Sequence, residues 1–134
     1  MEVTVHAEGP DPAEELRSLH DWLRDVEELR GRVDRQESPP RPGMLGPLLD
    51  ALSVALGPAG AATALATAVI AWLRTRRSEI RIKVTLPNRR SVELTAKGVS
   101  DLDSTALRQQ VADVAELLRP ETEQRSEIER NDAR

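Results

Sequence analysis

The sequence predicts a small two-layer α+β domain, in which two amphipathic helices cover the aliphatic face of an antiparallel sheet and an apolar helical insert separates the two halves. Three observations carry this. Short segments near the start and after residue 79 alternate apolar and polar side chains, the period of two that half-buried strands require. Two longer segments repeat aliphatic residues every three or four positions, which makes one helical stripe on each. From Ala51 to Leu73 no charged residue occurs, in a chain whose charged fraction is 31%.

The elements follow in order. Val3, Val5 and Ala7 share one face of a strand over Glu2 to Ala7. Asp11 is placed to cap a helix, Pro12 suits its first position, and Glu14 sits where a reciprocal capping carboxylate belongs. Leu16, Leu19, Leu23, Val26 and Leu29 form the apolar stripe of that helix, with Trp22 beside it and Gly31 as the stop. Arg32 to Glu37 is a weak strand candidate with one apolar residue, Val33. Ser38 to Gly43, with Pro39, Pro40 and Pro42, reads as a stiff extended linker.

The apolar run has two readings. About 20 apolar residues can span a bilayer, and Trp72 followed by Arg74, Arg76 and Arg77 is what an interfacial boundary carries. Only seven residues are strongly apolar, however, so insertion gains only about −2 to −4 kcal/mol before the opposing terms of Ser, Thr, Pro and Gly. Pro58 favours a break, so two helices, about Met44 to Leu56 and Pro58 to Thr75, explain the run equally well. In the second, Gly60, Ala64, Ala68 and Trp72 recur every four residues, a spacing that lets helix backbones approach closely in lipid or in a soluble assembly. These four, with Val69, Ile70 and Leu73, are the candidate oligomer or membrane interface. Arg74, Arg76 and Arg77 are the candidate contacts to anionic lipid or an acidic partner.

Beyond the run, Ile80, Ile82, Val84 and Leu86 alternate with polar residues, as do Val92, Leu94 and Ala96, with Pro87 to Arg90 as the turn between them. That is a hairpin with one buried face. A helix capped near Asp103 follows, with Leu107, Val111, Val114 and Leu118 on one stripe. The organisation expected is a first α/β half (1–37), the Pro-rich linker (38–43), the apolar insert (44–77), the hairpin and helix that complete the same domain (78–119), and a disordered tail (120–134). If both halves share one sheet, both ends of the insert lie on the same side of any membrane. The insert must then be a hairpin, a conditionally inserting element or a soluble helix pair.

Composition narrows the chemistry. With no Phe, Tyr or Cys, and with Trp22 and Trp72 the only rings, the core is aliphatic and thiolate chemistry, disulfides and cysteine-held metals are excluded. Residues 1–43 carry eleven acidic and six basic side chains, whereas residues 74–97 carry eight basic and two acidic. The acidic start lacks the pattern of a secretory signal, so a cytoplasmic location is expected, at most at the inner face of the membrane. His6 and His20 have no partner residues at catalytic spacing, and the strands lack the aromatics on which RNA-recognition sheets stack bases. No catalytic, cofactor or metal residue is expected, and no nucleic acid.

The acidic start MEVTV, the helix containing LRSLHDWL, the insert ending in AVIAWLRTRR and the hairpin IRIKVTLPNRRSVELTAKGVS together resemble the effector-associated constant component family of actinobacteria. The resemblance covers about residues 1–118. It implies a fixed, non-enzymatic component of biological-conflict or antiphage systems, partnered with a peptidase-type effector, caspase-like or trypsin-like. No ligand residues carry over by position. The function expected is an adaptor that links such an effector to an assembly or membrane through the apolar insert. The alternative is a soluble homo-oligomeric scaffold.

Overall fold

In the computed structural model, residues 1–39, 42–43, 48–57, 60–77 and 79–119 are described. Five antiparallel strands form one sheet: β1 (Glu2–Glu8), β2 (Val33–Ser38), β3 (Leu48–Ala55), β4 (Arg81–Thr85) and β5 (Ser91–Thr95). Their spatial order is β2-β3-β1-β4-β5. Helices α1 (Pro12–Arg24), α2 (Ala61–Leu73), α3 (Ala96–Ser100) and α4 (Ser104–Leu118) accompany it, with a single 3-10 turn at Glu27–Leu29. The α+β class and the helix-on-sheet layering are as the sequence predicts.

Alternation decides the faces. Val3 lies opposite Val54, Val5 opposite Leu52 and Val84, Ala7 opposite Ile82, and Ile82 opposite Leu94. Directly opposed residues share a face, so these side chains form one aliphatic layer, nearly all of it buried. The other face carries Thr4, His6, Lys83, Thr85 and Glu93 and remains polar. Leu16, Leu19 and Leu23 of α1 pack onto the aliphatic layer, and α4 closes over α2 through Val114, Ala115 and Leu118.

The expected helix ends are present. The Asp11 carboxylate accepts from the Glu14 amide at 3.3 Å, and Asp103 accepts from Ala106 at 2.7 Å. Two details differ. Helix α1 ends at Arg24, so Leu29 reaches the core from the 3-10 turn instead of from a fourth helical turn. A short helix, α3, precedes α4; it starts where the Thr95 hydroxyl accepts from the Gly98 amide at 3.0 Å.

The main correction falls on the apolar insert. The helix expected over Met44 to Leu56 is a strand from Leu48 onward, paired to β1 on one side and β2 on the other. Residues 44–47 lie outside the described residues, as do 40–41 of the Pro-rich linker and the expected tail from Pro120. The physical reason is a β-bulge. The β2–β3 register steps from Gln36 opposite Ala51 to Glu37 opposite Leu49, which leaves Asp50 as the extra residue. The bulge keeps the exposed Asp50 carboxylate out of the core and returns Leu49 to the same face as Leu52. Leu49 and Leu52 thus stand three apart on a strand, with Leu56 four further on just past its end, a spacing that reads as helical. The second predicted helix is present as α2, and no helix among the described residues is long and apolar enough to cross a membrane.

Candidate protein-docking groove

Helix α2 starts at Gly60, whose φ of 91° lies in the left-handed region that glycine adopts without strain. It then runs antiparallel to α1. Two contacts set this alignment: the Ser18 hydroxyl accepts from Trp72 Nε1 at 3.1 Å and from Arg76 Nη1 at 2.8 Å, and Arg76 Nε lies 3.3 Å from the Glu15 carboxylate. The Arg76 guanidinium also stands 5.3 Å from the centre of the Trp72 ring. Residue 15 is therefore level with 76 and 18 with 72, and the 3-10 turn after α1 reaches the Gly60 end of α2.

Two faces of α2 result. Leu65, Val69, Ile70, Trp72 and Leu73 are each at most 1% exposed. The outward stripe holds Gly60, Thr63, Ala64, Thr67 and Ala71, all small, and forms the floor of a groove of about 640 Å³. Ala68, 6% exposed, lies at its base. Trp22, Val26 and Glu28 form the opposite wall, and Trp22 is 40% exposed, unusually open for so large an apolar side chain.

The candidate interface residues are thus divided. Gly60, Ala64 and Ala68 are brought together in the groove. Trp72, Val69, Ile70 and Leu73 face the protein's own core, so a partner or bilayer reaches them only if α2 leaves it. Arg74 and Arg77 are exposed, while Arg76 is engaged with Glu15, Ser18 and Trp72. Trp22, Val26 and Glu28 were not among the sequence candidates. The one signal for Trp22 was its position beside the leucine stripe instead of within it.

The side-chain polar groups of the groove are two threonine hydroxyls, one carboxylate and the Trp22 indole N–H, a set without a nucleophile–base pair. What the groove offers is apolar area with little side-chain entropy to lose, the requirement for receiving a helix or an aromatic anchor. Elsewhere, His20 of α1 has its side chain 13% exposed, and its pKa is lowered, first by burial, then by the charge of Arg35 on β2. His6 lies on the polar face of the sheet, and no cluster of metal-ligating side chains occurs among the described residues.

The family model of Effector Associated Constant Component 1 matches residues 8–115. The chain belongs to that family. No curated protein and no solved structure matches it. The part of this Effector Associated Constant Component 1 chain that the model matches contains α1, α2 and every residue named in the groove, while most of β1 and the end of α4 lie outside it.

Proposed function

We propose that this chain is a non-enzymatic adaptor of a bacterial conflict system that binds its effector, a peptidase-type protein, through the α1–α2 groove. The observation that carries the reading is the pairing of a small-residue floor with the exposed Trp22. A helix or apolar segment of the effector would seat on Gly60, Ala64 and Thr67, with Trp22 closing over it. The family's name supplies the class of partner: a constant component associated with an effector. Docking onto a protein assembly fits this geometry better than insertion of α2 into lipid, because the strongly apolar residues of α2 already fill the core.

The test is co-purification with a co-expressed peptidase-type effector from the same genome. Thr67→Glu puts a charge on the groove floor and should lower recovery of the complex at least ten-fold with the melting temperature unchanged. Undiminished binding by a folded Thr67→Glu protein would overturn the reading.

A second reading has one observation in its favour. Glu28 stands at the Gly60 end of the groove and Arg74 at the other end of α2. A two-fold axis near Thr67 would set each carboxylate beside the other copy's guanidinium, with the same patch on both subunits. In a homo-oligomeric scaffold of this kind, Arg74→Glu should dissociate the dimer in sedimentation and the added Glu28→Lys should restore it.

A further inference from the structure

The two edges of the sheet are unlike. β2 pairs with β3 across the bulge at Asp50, so its register steps between Gln36 and Glu37, and it carries mostly exposed, charged side chains, a usual device that blunts an edge against strand addition. β5 is less guarded: its five residues keep an unbroken register with β4, without bulge, proline or lysine, and its one charged side chain is the exposed Glu93. Beside it a cavity of about 190 Å³ opens between the strand, α3 and α4, with Leu94, Val99 and Leu102 in its lining and Gln110 on α4.

Charge selects what fits there. On the polar face, His6, Lys83 and Glu93 stand opposite one another across β1, β4 and β5, so the row ends on a carboxylate at the edge. On the other face, half-buried Val92 and buried Leu94 flank it. We propose that β5 accepts an extended segment of a partner protein as a sixth strand, with a basic residue opposite Glu93 and aliphatic residues on either side turned toward the cavity. Pairing with a second copy is disfavoured in the central register, where a two-fold axis would set Glu93 against Glu93.

The probe is a fluorescein-labelled peptide, Ser-Thr-Val-Lys-Val-Thr-Ser, titrated onto the full chain. Saturable binding is expected. It should weaken about three- to ten-fold when the lysine is replaced by glutamate, since a favourable cross-strand pair becomes a repulsive one, and it should be abolished by N-methylating alternate backbone amides. Glu93→Lys, on the solvated face, should keep the fold and reverse the preference between the two peptides. Absence of binding, or indifference to both the charge swap and N-methylation, would overturn the proposal. So would dimerisation of the chain that Glu93→Lys abolishes together with peptide binding. Thr67→Glu should leave peptide binding unchanged, so this test stands or falls separately from the groove.

Discussion

His20 and Trp72 show how much single side chains decide here. Burial and the Arg35 guanidinium hold the His20 pKa below its ordinary 6.5, against the opposing pull of Asp21. The folded protein therefore resists the proton that the unfolded chain accepts. Stability contributed this way is intact above about pH 6.5 and falls as pH drops toward the folded pKa. His20→Gln should flatten the melting temperature between pH 7.5 and 5.5; an unchanged slope would assign that dependence to other groups. For Trp72, Ser18→Ala removes the acceptor of a buried indole N–H and should cost about 1–3 kcal/mol in urea unfolding, while Trp72→Ala should cost about 3–5 kcal/mol through the cavity it leaves.

Individual elements can be tested by contrasting their two faces. In β4, Ile82 is fully buried and Arg81 is exposed, 3.6 Å from Glu8. Ile82→Asp strands a charge in the aliphatic layer and should remove several kcal/mol, whereas Arg81→Asp disturbs a surface pair and should cost less than about 1 kcal/mol. In β3 the bulge makes an equally sharp contrast between neighbours. Leu49→Asp should unfold the protein, while Asp50→Lys should shift thermal melting little. A similar loss for the two would mean that the register does not step at Asp50.

Across the whole molecule, the arginines after α2 separate fold from surface. Arg76 ties α2 to α1, so Arg76→Gln should lower stability. Arg74 and Arg77 are exposed and make no such contact to α1, so their replacement tests surface binding without disturbing that tie. If they dock on anionic headgroups at about 1 kcal/mol each, replacing both with Gln should weaken co-sedimentation with anionic vesicles about thirty-fold and leave neutral vesicles unaffected. Binding like the parent's would assign them to solvent.

The sequence by itself determined whatever rests on neighbours along the chain. The alternation of β1, β4 and β5 fixed which side chains turn inward, Asp11 and Asp103 marked two helix starts, and the small residues of α2 marked the stripe that lies in the groove. Tertiary structure decided the rest. Leu49 and Leu52 read as helical because the bulge that sets them on one face arises only when β3 pairs with β2, a contact made across the Pro-rich connection. Trp72 and Ile70 read as an oligomer or membrane interface because a core residue and one facing a partner or lipid look alike in sequence; only the sheet and α4 covering them settle the difference. Trp22 became part of a site when α2 came to lie antiparallel to α1. That alignment is held by Ser18, Glu15 and Arg76, polar residues whose partners lie more than fifty positions away and which no local pattern brings together.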